Sequence, residues 1–247
     1  MSNEVFLTVC IPVYNSDVTE IVEQLFHQTT SLPSKVEIMV IDDHSEIGWK
    51  SKLNSLEGKC RIVVLEQNIG RSRIRNLFLN YATGKYLLFI DGDSRIISAD
   101  FLSVYLTRLE HSNSAVLQGG SIYQKVKPHR TKLLRWKYSI ERESKSVELR
   151  INGNYAFKTN NFIIQKSIFE TLRFDETLKG YGHEDTLFGI ELERRKIKIE
   201  HIDNPVLNVH LDSNEVFLIK TENAIKIVDK FFEKLHVYEE EGIKNPR

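Results

Sequence analysis

Short apolar runs alternate with amphipathic segments over the first 95 residues of the chain. The apolar runs cover 5–13, 36–41, 61–65 and 86–90, and apolar residues recur at helical spacing over 18–28 and 73–81. Nearly continuous apolar runs of this length are typical of strands buried on both faces, as in parallel sheets. The alternation therefore predicts a parallel sheet wound with helices on both faces.

The pattern after residue 95 is less regular but also contains apolar runs and amphipathic segments. It predicts helices over 100–110, 132–145, 166–172, 185–195 and 214–236, and strands over 115–118 and 161–165. The chain has 247 residues, of which 41% are hydrophobic, which suits an α/β domain with a sizeable core. We therefore expect one Rossmann-like α/β domain over 1–247, with a mostly parallel central sheet flanked by helices.

Each of the first four apolar runs is succeeded at once by polar residues. These are Tyr14 and Asn15, then Asp42 and Asp43, then Gln67 and Asn68, and finally Asp91, Gly92 and Asp93. Ligands of open parallel sheets bind beyond the carboxyl ends of the strands, although loops are polar in any protein. Four carboxylates at one edge would repel one another unless a cation is bound. The pattern predicts a ligand site with a cation at this edge.

The triplet Asp91-Gly92-Asp93 has the chemistry of a divalent metal site. Its two carboxylates offer oxygens to Mg²⁺ or Mn²⁺, which also bind diphosphate oxygens, and Gly92 permits a tight turn between them. Such a metal neutralises the charge that develops on a departing diphosphate. Triplets of this kind also occur in ordinary turns, so the position after a buried strand carries the inference.

A second acidic pair, Glu184 and Asp185, lies where a helix is predicted to begin. Negative charge at a helix N-terminus is stabilised by about 0.3–1 kcal/mol, so the pair could serve only as a cap. Alternatively, one carboxylate acts as a general base for an attacking hydroxyl. His210 follows the apolar run 205–209 and is either a structural histidine or a metal ligand through its neutral imidazole.

Composition and charge argue against several classes of function. Lys plus Arg and Asp plus Glu each total 34, and a formal net charge of zero is unlike a globally basic nucleic-acid binder. No window has the roughly 18 apolar residues of a membrane helix, and the first residues lack a secretory signal. We therefore expect a cytoplasmic protein, in which Cys10 and Cys60 are core residues rather than a disulfide or metal pair.

Five segments in this order resemble a known enzyme family. They are Val-Cys-Ile-Pro-Val-Tyr-Asn at 9–15, Val-Ile-Asp-Asp-His-Ser at 40–45, Asn-Ile-Gly-Arg-Ser-Arg-Ile-Arg-Asn at 68–76, Gly-Lys-Tyr-Leu-Leu-Phe-Ile-Asp-Gly-Asp at 84–93 and Gly-His-Glu-Asp at 182–185. Together they resemble the inverting glycosyltransferase family 2, which has the GT-A fold. The resemblance covers roughly 5–210. It implies a nucleotide-sugar-binding half over about 1–95, an acceptor and catalytic half over about 96–213, and a C-terminal helix and tail over about 214–247.

The resemblance also implies a role for each candidate residue. Pro12, Tyr14 and Asn15 would line the nucleobase and ribose pocket, and Asp42 or Asp43 would bind the base or ribose. The donor site would be completed by Asn68, Arg71, Arg75, Asp91 and Gly92. The two arginines would face either the donor or solvent. Asp93 and His210 would hold Mn²⁺ or Mg²⁺, Asp185 would be the catalytic base, and Glu184 would contact the acceptor or donor sugar.

The chain departs from the family pattern at two positions. Ser94 stands where many relatives have a further Asp, so one metal-binding or neighbouring oxygen is missing, and His44 stands where Gly is usual. The membrane helices and Gln-Arg-Trp signature of processive synthases are absent from the sequence. We therefore expect the addition of single sugars.

A basic stretch at 124–137 is the remaining feature. It contains Lys125, Lys127, Arg130, Lys132, Arg135 and Lys137 without an acidic residue. It could face an anionic acceptor such as a lipid-linked diphosphate, or the inner membrane surface as a peripheral contact. It could also cover the donor diphosphate, or be a solvated face balanced by Glu141 and Glu143.

The resulting hypothesis is sugar transfer with inversion from a nucleoside-diphosphate sugar, UDP-linked by family habit, to an acceptor hydroxyl of a bacterial surface polysaccharide or glycolipid. A non-catalytic nucleotide-sugar-binding module is the alternative. A sugar nucleotidyltransferase is disfavoured because Pro-Val-Tyr-Asn stands where its Gly-rich phosphate loop would follow the first strand. A dehydrogenase is disfavoured because no strand is followed by Gly-x-Gly-x-x-Gly.

Overall fold

The strands of the molecule form two sheets in the computed structural model, which describes residues 4–112, 114–152, 157–178 and 182–226. The strands are β1 (Leu7–Val13), β2 (Val36–Asp42), β3 (Arg61–Val64), β4 (Tyr86–Phe89), β5 (Ser94–Ile96), β6 (Val116–Gln118), β7 (Ser121–Tyr123), β8 (Phe162–Gln165), β9 (Ile199–His201) and β10 (Val206–Asn208). The larger sheet has the order β3-β2-β1-β4-β8-β6-β9, and the smaller has the order β5-β10-β7.

The central sheet is mostly parallel, as the apolar runs predicted. β3, β2, β1 and β4 are parallel neighbours, and their carboxyl ends therefore share one edge. β8 is antiparallel to both β4 and β6, whereas β6 and β9 are parallel. The start of β8 consequently lies at the edge where β4 ends, with Phe162 paired to Phe89.

Helices cover both faces of this sheet. They are α1 (Thr19–Thr29), α2 (Ile47–Leu53), α3 (Arg71–Leu77), α4 (Phe101–His111), α5 (Leu133–Tyr138), α6 (Val147–Arg150), α7 (Lys166–Thr171), α8 (Glu184–Arg194) and α9, which spans 214–226. The prediction for α9 extended to 236, and its last ten residues lie outside the described part of the chain. Within the described ranges, no helix combines the length and apolarity that crossing a bilayer requires.

The helix predicted over 132–145 is wrong in extent. The segment consists of a 3₁₀ turn at Arg130–Lys132, then α5, then a π-helical stretch at Ser139–Glu143. The buried Ser139 hydroxyl donates to the Arg135 carbonyl at 2.9 Å, and the Arg135 guanidinium reaches Glu143 at 2.8 Å. Both contacts lie within the segment itself, and an amphipathic pattern does not distinguish its 3₁₀, α and π turns.

Two hydrophobic clusters sandwich the sheet because successive residues of a strand face opposite sides. Leu7, Val9 and Ile11 of β1 join the cluster under α1 and α4. Cys10 joins the other cluster, which contains stacked phenylalanines such as Phe174 and Phe188 with ring centroids 4.3 Å apart. Cys10 is fully buried and Cys60 packs against the opposite cluster, so both are free thiols in core positions.

The smaller sheet was not predicted, but it positions part of the candidate site. β5 begins directly after Asp93, and β10 pairs antiparallel with it. The Val209 amide donates to the Asp93 carbonyl at 3.2 Å. This pairing brings the chain around His210 to the Asp91-Gly92-Asp93 turn, although more than a hundred residues separate them in sequence.

Candidate active site

The carboxyl ends of β1 and β2 are joined by a hydrogen-bond network. The Asn15 amide donates to the Ser45 hydroxyl at 2.8 Å, and the Asn15 side-chain carbonyl accepts from the Glu46 amide at 2.9 Å. The Ser45 hydroxyl and amide both donate to the buried Asp42 carboxylate. Tyr14, beside this network, is 56% exposed. The network fixes the loop that the sequence assigned to the nucleobase and ribose.

Asp43 fastens the next loop to the sheet. Its two carboxylate oxygens accept from the Ile69 amide at 2.7 Å and the Gly70 amide at 3.0 Å. The Asn68 side chain donates to the Asp43 carbonyl at 3.1 Å, and Gly70 has a φ of +86° immediately before α3. Asp43 therefore sets the start of α3. Its predicted contact with the donor remains a prediction, as does that of Asp42.

Helix α3 connects the two acidic motifs. The buried Arg75 donates to the Asp91 carboxylate at 2.7 Å and to the Arg71 carbonyl at 3.2 Å. One turn earlier on the helix, the Arg71 guanidinium lies 3.5 Å from the Glu184 carboxylate. Arg75 is 5% exposed and tied to Asp91, whereas the Arg71 side chain is half exposed. A contact of either arginine with the donor remains a prediction.

The turn at Asp91-Gly92-Asp93 packs closely against the end of β1. A Cβ on Gly92 would lie 2.9 Å from a Val18 methyl group and 3.5 Å from the Pro12 carbonyl oxygen. A side chain at position 92 would therefore crowd the Val18 side chain. The Asp91 amide also donates to the Asn160 side chain at 3.0 Å, which holds the turn from the β8 side.

The Asp93 carboxyl lies in a field of several charges. Burial and the Asp91 carboxylate raise the pKa of Asp93 above its ordinary value, while His210 and Arg71 act in the opposite direction. The His210 ring is exposed and lies 3.2 Å from the Asp212 carboxylate. The structure thus brings Asp93, Asp91 and His210 into one neighbourhood, in which a bound cation would favour the ionised form of Asp93.

The donor set around Asp93 fits a cation that arrives with a diphosphate. In the described part of the chain, no cluster of three or more His, Cys, Asp or Glu residues has the geometry to hold a metal. Asp93 and His210 are the side chains that the family resemblance assigned to the metal ion. Mg²⁺-type sites commonly use one or two protein carboxylates and fill the remaining positions with waters and substrate phosphates. Asp93 supplies one such carboxylate, and the roles of Asp93 and His210 as metal ligands remain predictions.

Asp185, in the first turn of α8, pairs with a lysine that the sequence analysis missed. Its carboxylate lies 2.8 Å from the Lys158 ammonium and also accepts from the Thr186 amide at 2.8 Å. Burial pushes the pKa of Asp185 upward, but Lys158 outweighs it and holds the pKa below its ordinary value. His183, before the helix, has a φ of +68° and provides no side-chain cap. Asp185 is therefore an ionised carboxylate held by a cation.

Residues 8–173 match the family described as glycosyl transferase family 2. The chain belongs to glycosyl transferase family 2.

Curated relatives of this family 2 chain are longer than the chain itself. The minor teichoic acid biosynthesis protein GgaB of Bacillus subtilis (strain 168) is 28% identical over 194 residues, which cover 76% of this chain and 21% of GgaB. EpsJ of the same organism, described as an uncharacterized glycosyltransferase, is 25% identical over 209 residues, covering 80% of this chain and 58% of EpsJ. The chain thus spans about a fifth of the first relative and somewhat over half of the second.

Solved structures confirm the GT-A fold of the family 2 chain. S. aureus TarS 1–349 in complex with UDP superposes with a TM-score of 0.63 and 21% identity, over 82% of this chain and 60% of TarS 1–349. Glucosyl-3-phosphoglycerate synthase from Mycobacterium tuberculosis, in complex with Mn²⁺, UDP and glucosyl-3-phosphoglycerate, superposes with a TM-score of 0.58 and 16% identity, over 87% of this chain and 75% of the synthase.

Two residues that the sequence analysis did not select, Asn160 and Lys158, also lie in the site of the family 2 chain. Asn160 joins Asp91, Ser94 and Asn208, with donor–acceptor distances of 2.8–3.0 Å for three of its bonds. Lys158 and Asn160 immediately precede β8, whose antiparallel direction carries them to the active edge. The polar run Lys-Thr-Asn-Asn at 158–161 would have indicated these residues if the direction of β8 had been known.

Both departures from the family pattern have a structural explanation. Ser94 is buried, and its hydroxyl takes part in the amide network of Asn160 and Asn208. His44 has a φ of +65°, the left-handed conformation in which Gly is usual, and its ring contacts the Leu65 carbonyl at 3.3 Å. His44 therefore preserves the loop conformation at an expected conformational cost of about 1 kcal/mol.

Proposed function

We propose that the chain transfers a sugar from a nucleoside-diphosphate donor, UDP-linked, to an acceptor hydroxyl during the synthesis of a bacterial cell-surface polysaccharide. The observation that carries the proposal is the connection through α3, where Arg75 holds Asp91 and Arg71 meets Glu184. It links the candidate metal turn to the helix start that carries the candidate base, through two side chains four residues apart on one face of α3. The teichoic acid role in the name of GgaB and the UDP bound to TarS support the same conclusion.

The proposed reaction is a direct displacement with inversion. The acceptor oxygen attacks the anomeric carbon, Asp185 takes the proton of the acceptor hydroxyl, and the bond to the nucleoside diphosphate breaks with its electron pair on the leaving oxygen. Mn²⁺ or Mg²⁺ held by Asp93 and His210 would stabilise the charge on the leaving diphosphate. Glu184, 8% exposed beside Arg71, would bind the sugar.

The nucleoside is assigned to the edge formed by β1 and β2. Pro12, Tyr14 and Asn15 lie there beside Asp42, and the exposed Tyr14 ring is free to pack against a planar base. Asn68, which donates to the Asp43 carbonyl, closes the same edge. Since the network through Ser45 already holds this loop, little ordering of the loop would oppose donor binding.

A panel of nucleotide sugars, with and without Mn²⁺, tests the proposal. A donor that binds the folded state raises the unfolding temperature, and the enzyme should then hydrolyse that donor slowly in the absence of an acceptor. A nucleotide-sugar-binding module without catalysis would show the temperature shift but no hydrolysis. If no nucleotide sugar shifts the unfolding temperature, the proposed function is wrong.

Removing the lysine beside the base should change the pH dependence of transfer. In Lys158→Met, the acid limb of kcat/KM is expected to move to higher pH, because Asp185 loses the cation that outweighs its burial and its pKa rises. Turnover needs the ionised carboxylate, so activity is lost as pH falls through that pKa. The other titratable groups that act on Lys158, Glu143 and Tyr138, are unchanged in the variant.

Lys158→Arg is the matched control because it retains the positive charge. We expect its acid limb to coincide with that of the unmodified enzyme when both profiles are measured at saturating Mn²⁺. An acid limb at the same pH in Lys158→Met and Lys158→Arg would show that Asp185 does not titrate in the rate-limiting step, or that Lys158 does not control it.

A further inference from the structure

The cations of 124–137 divide into one buried anchor and an exposed group. Arg135 pairs with Glu143 at 2.8 Å, donates to the Tyr123 hydroxyl and lies over the Phe217 ring. The exposed group, called here the basic surface, consists of Lys125, Lys127, Arg130, Lys132 and Lys137. Within the described ranges, only Lys137 of these five has an ion-pair partner, Glu141 at 3.9 Å.

The segment that carries the basic surface is closed by one internal hydrogen bond and joined to the start of α9 by two others. The Trp136 indole donates to the Gln124 carbonyl at 2.8 Å, which ties α5 to the loop after β7. The Asn214 side chain accepts from the Leu134 amide at 2.9 Å and donates to the Arg130 carbonyl at 3.0 Å. These bonds hold the exposed cations in a fixed arrangement, so they present a preformed positive surface on a chain with no net charge.

This surface leads towards the proposed catalytic base. Tyr138 and Glu143, which follow it on the same segment, lie close enough to act electrostatically on Lys158. Lys158 in turn pairs with Asp185 at 2.8 Å. The segment that carries the cations is therefore followed by residues near Lys158, the partner of Asp185, on the side of the site where the proposed function has the acceptor present its hydroxyl.

We propose that the basic surface binds a phosphate-bearing acceptor polymer and guides its hydroxyl to Asp185, an inference that rests on the proposed function. Five cations within 13 residues match a chain of regularly repeated anionic groups. A bilayer surface is the occupant that the test must separate from a polymer, because Val126, Leu134 and Tyr138 are exposed side chains of the kind that membrane-docking segments insert. Trp136, in contrast, is half-buried and its indole N–H is already bonded.

Binding to a long-chain inorganic polyphosphate, measured by fluorescence anisotropy in a salt series, tests this assignment. The triple variant Lys125→Gln, Lys127→Gln and Lys132→Gln should bind about tenfold more weakly at low salt, because each exposed pairing contributes a fraction of a kcal/mol. The matched control, Lys85→Gln, Lys196→Gln and Lys198→Gln, removes three exposed cations elsewhere and should bind within about twofold of the unmodified chain.

A parallel arm uses vesicles of phosphatidylglycerol and phosphatidylethanolamine. Equal weakening of polyphosphate binding in the two triple variants, or no binding by the unmodified chain, would overturn the proposal. Vesicle binding that depends on the basic surface, without polyphosphate binding, would assign the surface to the membrane instead. Because no sugar donor is present, the binding result is independent of transfer: a chain that binds polyphosphate but never transfers sugar contradicts the proposed function alone.

Discussion

Asp185→Asn is expected to lower kcat for sugar transfer by about 10²–10⁴-fold while the affinity for the donor persists. The amide has nearly the shape of the carboxylate and still accepts a hydrogen bond from Lys158, but it cannot take a proton. The structure supports this choice because Asp185 is held ionised by Lys158 at 2.8 Å and is only 19% exposed. Nucleoside-diphosphate release gives kcat, and isothermal titration gives the donor affinity.

Glu191→Gln is the control for the loss of a carboxylate from α8. Glu191 lies almost two turns after Asp185 and pairs with Arg194 at 3.4 Å, away from the N-terminal end of the helix. We expect it to keep most of its activity. A fall in kcat of similar size in both variants would indicate damage to α8 rather than loss of a base.

Asp93→Ala is expected to reduce transfer by more than about 10³-fold, because a metal on the leaving group contributes several kcal/mol to the transition state. Burial and Asp91 disfavour the ionised form of Asp93, which raises its pKa, and a bound cation would reverse that. Donor binding in the variant should therefore lose its dependence on Mn²⁺. Titration of the donor at increasing Mn²⁺ concentrations, together with turnover, measures both effects.

Asp100→Ala serves as the control for this substitution. Asp100 is exposed at the start of α4, and its carboxylate contacts the nearby Ser98 hydroxyl at 3.5 Å. Mn²⁺-dependent donor binding should survive in this variant. The metal assignment would be wrong if Asp93→Ala turned over its donor as fast as the unmodified enzyme.

The first half of the fold was predictable because β1, β2 and β4 are mostly buried, although the edge strand β3 leaves Arg61 and Val64 exposed. Each strand from β1 to β4 is a continuous apolar run with polar residues directly after it, and parallel pairing brings those polar residues to one edge. Asp91, Asp93, Asp42 and Asp43 could therefore be placed together from sequence alone. Their separate roles could not, because the bonds that Asp43 makes to the α3 loop depend on tertiary contacts.

The second half was less predictable because its strands are short and mixed in direction. β5, β7, β9 and β10 have three residues each, too few for a recognisable periodicity. The direction of β8 decides whether Lys158 and Asn160 reach the active edge, and no local pattern specifies it. Similarly, Arg71 and Arg75 have equivalent helical spacing, and only packing buries Arg75 against Asp91.

The central claim is that Asp93 and Asp185 act on one nucleotide sugar bound at the edge beside α3. A crystal structure with UDP and Mn²⁺ tests it most directly. We expect the cation on Asp93, the uracil beside Tyr14, and the Asp185 carboxylate facing the open side of the β-phosphate, where the sugar would lie. A nucleotide bound away from the edge of β1, β2 and β4, or an Asp185 carboxylate that faces away from the diphosphate, would contradict the account.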